Sequence, residues 1–319
     1  MNVLMISDDN YAFLLAASIL SLFDSNRDAT ELRVYIISDG IKKKSIEAVE
    51  KIADQFKREL YWLPVPEMPE GIVMKGSLNI STYYRLMMQS VIPEIIEKIL
   101  YLDCDILVRG NIENLWEIDI KDYYLAGVTD TTGKFARESV GLKKNDKYVN
   151  AGVLLINLKK WRENQTEEKF LSYLESKNWK VEFNDQGVIN RVCNSGIKLV
   201  NPQYNMMPTY QRYSHKELKR LTELDKFYTE EEIERAKREP RIIHYAGYAF
   251  SRPWFKDAKG QYNEEFIEYL RKTGINFEYK NQPSGFKYRV RRAVNAMNNG
   301  SCILANKIID KIYEIKEGI

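Results

Sequence analysis

An α/β fold with a mainly parallel sheet flanked by helices is what this sequence predicts, and two observations carry the expectation. Short apolar β-type runs alternate with helical segments in the order β-α-β-α-β between Asn2 and Val65, and such alternation favours parallel strands with helices on their faces. The 319 residues are ordinarily globular, 44% hydrophobic and 29% charged with a net charge of +3. That length supplies an ample core, and so small a charge balance leaves no nucleic-acid footprint across the whole chain.

Asn2 to Ile6 reads as a short buried strand running into Ser7-Asp8-Asp9-Asn10 and a helix from Tyr11 to about Phe23. Asp and Asn there are natural helix caps. A strand entering a capped helix is also where open α/β sheets bind nucleotides. No GxGxxG or GxxxxGK[ST] follows it, so the usual dinucleotide and P-loop readings fall away. Arg33 to Ser38, Lys42 to Phe56 and Glu59 to Val65 continue as strand, amphipathic helix and strand, and Ser81 to Leu86 opens a further helix.

The run from Ile99 to Val108 is apolar except where it halts at Asp103 and Asp105, which describes a buried strand that stops at two acids and then continues. Leu125 to Val128 is another short strand, and Asn150 to Leu158 is one more, feeding a long amphipathic helix from near Lys159. Asn184 to Gly187 caps the helix Val188 to Asn194, the charged segment Thr229 to Arg238 is helical, and Arg241 to His244 is a final strand. With no internal repeat or low-complexity linker, a single domain is expected over 1–257. Residues 258–319 form a helical extension, basic around Lys287, Arg289, Arg291 and Arg292 with Phe286 and Tyr288 among them.

Three widely spaced cysteines, Cys104, Cys193 and Cys302, form no CxxC, which fits a reducing compartment and argues against a disulfide framework or a structural zinc site. The apolar run Ala12 to Leu20 is preceded by Asp8 and Asp9 instead of basic residues and is too short to span a bilayer. The expected location is the cytoplasm.

Carboxylates at i and i+2 of an extended segment point to one side, so Asp103 and Asp105 can grip one hard cation if a loop or bulge holds them. The other reading is a strand end whose acids are solvated or paired with lysines. Of the two histidines, His215 lies in a polar helix start, whereas His244 ends an apolar strand as a packed core residue or a ligand. Asp103, Asp105 and His244 together would make a two-carboxylate, one-imidazole site suited to Mn²⁺, with Mg²⁺ less comfortable because of the imidazole.

Several short segments then fall in a recognisable order: Asp8-Asp9-Asn10-Tyr11, Ser81-Thr82-Tyr83-Tyr84-Arg85-Leu86, Tyr101-Leu102-Asp103-Cys104-Asp105, Asn150-Ala151-Gly152 with the apolar run to Leu158, Asp185-Gln186, Asn205-Met206-Met207-Pro208-Thr209 and His244-Tyr245-Ala246-Gly247. On these segments the chain resembles glycosyltransferase family 8, retaining UDP-sugar-dependent enzymes that include bacterial lipooligosaccharide galactosyltransferases and, more distantly, glycogenin. The resemblance implies a GT-A type nucleotide-sugar-binding domain. It implies that Asp8, Asn10 and Tyr11 hold the uracil and ribose, with Tyr11 stacking. Asp103, Asp105 and His244 would bind the cation, Cys104 being the small buried spacer between the acids.

By the same resemblance Arg85 reaches the sugar or the acidic cluster, Asn150, Ala151 and Gly152 line the sugar pocket, and Asp185 fixes sugar hydroxyls. Gln186 lies across the sugar from the leaving diphosphate, and Asp130 faces the acceptor. Arg85 and Asp185 also admit the plainer reading of a salt bridge and a helix cap. One departure stands out. The family's last motif usually reads His-x-x-Gly-x-x-Lys-Pro-Trp, with the lysine on the diphosphate; between Gly247 and Pro253 this chain adds two residues and puts Arg252 in place of the lysine. Arginine binds phosphate bidentately, but on a longer loop it will not sit in the same place.

The implied reaction is metal-dependent transfer of a hexose, galactose or glucose, from UDP to a hydroxyl of a glycan or lipid-linked acceptor in cell-envelope polysaccharide or lipooligosaccharide synthesis. A protein acceptor is the alternative. Retention by double displacement needs a nucleophile, and Gln186 is an amide, so same-face attack is favoured. The basic tail either rests on anionic lipid at the inner face of the membrane or packs on the domain or on a second subunit. Two rivals from other classes are a haloacid-dehalogenase-like phosphohydrolase, whose Asp-x-Asp usually stands near the N-terminus, and a non-catalytic nucleotide-sugar binder on the same fold.

Overall fold

The computed structural model describes residues 1–69, 80–247 and 251–317. The expected alternation opens the chain as β1 (Asn2–Asp8), α1 (Ala12–Ser25), β2 (Arg33–Asp39), α2 (Lys43–Phe56) and β3 (Glu59–Leu63). Ile80–Leu86 is a 3-10 segment instead of the α-helix expected there, and it leads to β4 (Lys98–Leu102), β5 (Ile106–Val108) and α3 (Glu113–Trp116). β6 (Leu125–Thr129), α4 (Lys134–Ser139) and β7 (Val149–Asn157) come next, then α5 (Leu158–Glu163), α6 (Thr166–Ser176), α7 (Asn184–Cys193) and β8 (Ile197–Leu199). The remainder is α8 (Pro208–Arg212), α9 (His215–Thr222), α10 (Glu230–Arg238), β9 (Ile242–His244), α11 (Asn263–Lys272), α12 (Phe286–Ala296) and α13 (Asn299–Glu317).

Among the described residues, seven strands form one sheet in the order β3-β2-β1-β4-β7-β6-β8. Pairs β1–β2, β2–β3, β1–β4 and β6–β8 are parallel, while β7 runs antiparallel to both β4 and β6. Alternation along each strand splits the apolar residues between two layers. Val3 and Met5 of β1 pack with α1, α2 and α11, whereas Leu4 packs with Tyr101 and with Trp161 and Phe170 from the helices after β7. The long helix expected from Lys159 is two helices. Gln165 between them adopts a left-handed backbone, φ 50°, and the bend lets Trp161 and Phe170 bury fully and meet edge to face at 5.1 Å.

The strand expected to continue through the acids also divides. β4 ends at Leu102 inside the large sheet, and β5 pairs with β9 in a separate antiparallel ribbon, with Ile106 opposite His244. Asp103 to Asp105 is therefore the crossing between two sheets. Residues Asp105 and Arg109 bond toward β9, through Tyr245 N–H to Asp105 O and Arg109 N–H to Arg241 O. On the opposite border, backbone groups of Cys104, Ile106 and Val108 face α1. There the Ser18 hydroxyl lies 2.5 Å from the Cys104 carbonyl and 2.8 Å from that of Ile106. Ser21 accepts the Val108 N–H at 3.0 Å, and Ser25 donates to the Val108 carbonyl at 2.8 Å. Ser18 and Ser21 are fully buried, which explains hydroxyls inside an otherwise apolar helix: a buried backbone group without a partner is costly. Ser18→Ala takes the donor from two buried carbonyls and is expected to cost about 1–3 kcal/mol in urea denaturation, with the m-value unchanged; wild-type stability would contradict this account of the crossing.

Candidate active site

The crossing brings acids and imidazole together. β4–β7 pairing sets Asp103 beside Gly152, whose carbonyl accepts the Asp103 N–H at 2.8 Å, and β5–β9 pairing sets Asp105 beside His244. His244 Nε2 lies 3.3 Å from Asp105 Oδ1 and 3.6 Å from Asp103 Oδ2. One ligand atom from each of Asp103, Asp105 and His244 falls within 4.8 Å of the others, a spacing and donor set that fit one divalent cation. Gly152 has no side chain because there is no room for one: a Cβ would stand 2.2 Å from His244 Cε1 and 2.7 Å from Asp103 Oδ2.

Burial alone would push the His244 imidazole down, but the Asp105 carboxylate, with Asp103 behind it, outweighs burial and raises its pKa. Burial likewise opposes ionisation of Asp105, and His244 and Arg252 hold it down to about 2. Arg85 is the counter-ion on the other side. It donates to Asp103 at 2.9 Å and to the Ala151 carbonyl at 2.8 Å, stacks over Tyr101 at 4.4 Å, and brings Nε to 3.0 Å from Asp185, an ion pair that is off line for a hydrogen bond. Desolvation raises Asp185 to about 6 against the pull of Arg85, with Asp103 adding to the rise. Tyr101 donates its hydroxyl to Asp103 at 2.7 Å.

Behind the cluster lies a run of buried amides. His244 Nδ1 is 2.9 Å from Asn205 Oδ1, and Asn205 Nδ2 donates to Asn150 Oδ1 at 2.9 Å. Asn150 donates to Asp130 at 2.9 Å and to Gln186 Oε1 at 3.2 Å. Gln186 Oε1 also accepts the Ala151 N–H at 3.0 Å, and Gln186 Nε2 donates to Asp130 at 3.2 Å. Asp130 takes a further bond from Thr132 N–H at 2.8 Å. Asp185 and Gln186 sit in the first turn of α7, which starts at Asn184 instead of being capped by these residues. Asn190 docks that helix on β7 by bonding both the N–H and the carbonyl of Val149.

At the other end of the cluster Asp8 accepts the Tyr11 N–H at 3.0 Å and the Asn10 side chain at 3.3 Å; these bonds close the turn before α1, whose N-cap is Tyr11 with no side-chain capping bond, so neither Asp8 nor Asn10 is the helix cap expected there. Tyr11 is 39% exposed, and Arg252 and Asp105 lie within electrostatic reach of it. Lys280, from the C-terminal extension, holds its ammonium 4.8 Å from the Tyr11 ring centroid. Arg252 stands 3.4 Å from Asp105 and donates to the Tyr245 carbonyl at 3.0 Å. Gly247 has φ 105°; the added residues between it and Arg252 include 248–250, which lie outside the described residues. Cys104 is buried with its thiol 3.1 Å from the Ile6 carbonyl, and burial raises its pKa, which suits a spacer and no ligand. His215 begins α9 with its Nε2 2.8 Å from the Tyr228 carbonyl, away from the cluster.

The model of a family described as Glycosyl transferase family 8 matches residues 2–258. The chain belongs to glycosyltransferase family 8. A protein of Haemophilus influenzae is 32% identical over 218 residues, 66% of this chain, and the chain spans 64% of that relative. The family-8 chain is also 26% identical to an Escherichia coli lipopolysaccharide 1,2-glucosyltransferase over 316 residues, 96% of this chain and 86% of that one. It superposes on the solved structure of the galactosyltransferase LgtC in complex with donor and acceptor sugar analogs with a TM-score of 0.72 and 27% identity, covering 87% of this chain and 98% of that one. With family 8 come the GT-A fold and glycosyl transfer as the class of reaction.

Reading the residues alone missed Tyr101 on Asp103, Asn205 on His244 and Lys280 over Tyr11. Asn205 stood inside a quoted motif without a role, and Lys280 lay in the extension; neither position carries a signal until the chain is folded. The electrostatics predict that in metal-free protein His244 titrates above the ordinary 6.5, and that Asp105→Asn lowers it because burial then meets less opposition. Imidazole NMR checks both, and an unshifted His244 in the variant would count against the geometry.

Proposed function

We propose that this protein is a metal-dependent, retaining hexosyltransferase that moves galactose or glucose from a UDP-sugar to a hydroxyl of a glycan or lipid-linked acceptor of the cell envelope. The observation that carries the reading is the Asp103-Asp105-His244 cluster standing against the amide run that ends on Gln186 and Asp130. Asp103, Asp105 and His244 would hold Mn²⁺, or Mg²⁺ less readily. When bound, the cation supplies neutralisation of the charge that develops on the departing diphosphate.

The chain's own residues do the rest. Tyr11 stacks the uracil, with Asp8 and Asn10 beside the ribose. Arg252 adds a guanidinium on the diphosphate side of Asp105, in the role that lysine has in the family motif. Asn150, Ala151 and Gly152 line the sugar, Arg85 orients Asp103 and Asp185, and Asp185 meets the sugar hydroxyls. Asp130 faces the acceptor. Gln186 already spends its oxygen on two N–H groups, from Ala151 and Asn150, so attack by that oxygen on the anomeric carbon would break both bonds. This favours same-face attack, in which the leaving phosphate accepts the acceptor's proton.

Donor hydrolysis tests the reading. UDP release from UDP-galactose or UDP-glucose is expected with Mn²⁺ and at a small fraction of that rate after chelation. Asp105→Ala is expected to lose about 10²-fold or more, the scale seen when transition-state charge loses its stabiliser. No UDP from any UDP-hexose would overturn the reading, and a covalent sugar on Asp185 or Gln186 in intact-protein mass spectrometry would overturn same-face attack.

The extension points to where the acceptor is met. α12 buries none of its residues and carries Lys287, Arg289, Arg291 and Arg292. Leu304, Ile308 and Ile312 of α13, four residues apart, are all more than half exposed. Such spacing makes one apolar stripe. No helix among the described residues is long and apolar enough to cross a membrane. α11 and the Cys302–Ile303 face of α13 pack on the domain, and we infer that α12 and the exposed stripe of α13 rest on anionic lipid at the cytoplasmic face. Flotation with phosphatidylglycerol vesicles is expected to carry the full chain and to fail for Leu304→Ser/Ile308→Ser; equal flotation of both would remove the lipid contact.

A further inference from the structure

A half-buried ammonium is held at the Tyr11 end of the cluster by a part of the chain that the family match, ending at residue 258, does not reach. The backbone of Lys280 is stitched to the residues that follow Arg252. Its N–H donates to the Trp254 carbonyl at 2.8 Å, and its carbonyl accepts the Lys256 N–H at 3.0 Å. Phe277 stacks on Phe13 of α1 with ring centroids 6.2 Å apart, and the Gln282 amide donates to the Lys256 carbonyl at 2.6 Å. The strip 277–282 is thus anchored on both sides of Lys280. Between those anchors the side chain crosses two rings, its ammonium 4.8 Å from the centroid of Tyr11 and 5.5 Å from that of Phe13.

The charges around this ammonium do not balance. Among the described residues no carboxylate forms an ion pair with it. Burial lowers its pKa, Asp8 pulls the other way, and Arg252 adds to the fall. Arg252 already has Asp105 as its counter-ion, at 3.4 Å, and Tyr11 lies within electrostatic reach of Arg252 as well. Two cations beside one ring repel each other, and an anion placed between them turns that repulsion into attraction. We propose that Lys280 is a phosphate-binding residue of the nucleotide site, its ammonium meeting the donor diphosphate together with Arg252. The inference rests on reading this site as one for a nucleoside diphosphate sugar. It gives the C-terminal extension a part in substrate binding. It also relates to the altered end motif: the guanidinium on the longer loop is engaged by Asp105 and the Tyr245 carbonyl, while a separate lysine supplies a compact charge with three rotatable donors.

Binding of UDP and of uridine to the full chain, in the presence of Mn²⁺, tests it. Lys280→Met keeps the apolar stem over the rings and the backbone bonds but removes the charge. It is expected to weaken UDP about 10-fold or more, the worth of one hydrogen bond to a charged group, and to leave uridine, measured by displacement, unchanged. Lys280→Arg, which keeps the charge, is expected to bind UDP more tightly than Lys280→Met. Equal UDP affinity in Lys280→Met and the wild type overturns the proposal. So does an equal loss of UDP and uridine, which would make Lys280 a contact of the base or a packing residue of Tyr11, and so does a Lys280→Arg that binds UDP no better than Lys280→Met. Tighter UDP binding by Lys280→Met also overturns it, because the ammonium would then stand where the nucleotide must go. A wild type that binds no UDP refutes the nucleotide reading itself and the proposal with it, whereas the other contrary results refute the proposal alone.

Discussion

Everything chemical in this molecule depends on the chain leaving one sheet for another between Leu102 and Ile106. In a continuous strand Asp103 and Asp105 would share one ladder and point at one flat face. Because β4 is paired to β7 and β5 to β9, each acid is fixed by a different neighbour, Gly152 for one and His244 for the other. The two carboxylates then converge on the imidazole with Arg85 and Arg252 on opposite flanks. Burying several charges together is unfavourable unless each has partners. The charges in this group find them: Asp103 has Arg85 and Tyr101, Asp105 has His244 and Arg252, and Asp185 has Arg85.

The local balance also explains the opposed proton affinities. Asp105 and His244 stabilise each other's charged forms, whereas Asp185, buried near Asp103, is pushed toward its neutral form even beside Arg85. Like-charge neighbours and desolvation act together on Asp185. A metal or a substrate entering the cluster changes the charge that all of these groups feel, so their protonation is bound to what occupies the site.

Much of this was legible in the sequence. The β1 to β3 alternation follows from periodicity, and the ordered motifs carried the family. The proximity of His244 to the acids was an expectation from residue types at strand ends, and the structure brings those residues together. The antiparallel insertion of β7 between β4 and β6 was not legible, because a strand buried on both faces reads as the same apolar run in either direction. The division at Gln165 was hidden for a similar reason: burial of Trp161 and Phe170 decides it, and helical spacing continues across it. Asn205 was invisible as a partner because its contact with His244 exists only once Met206 takes the His244 N–H and the Ile242 carbonyl takes the Met206 N–H.

The serines of α1 have one more consequence. A two-stranded ribbon such as β5–β9 ordinarily offers a free border of N–H and carbonyl groups, onto which a strand from another molecule can add. On β5 that border is met by hydroxyls 18, 21 and 25 of a helix, so no strand has room to dock there. Helix α1 thus guards the β5–β9 ribbon against intermolecular pairing as well as holding it in place, and the protection is built from three oxygen atoms.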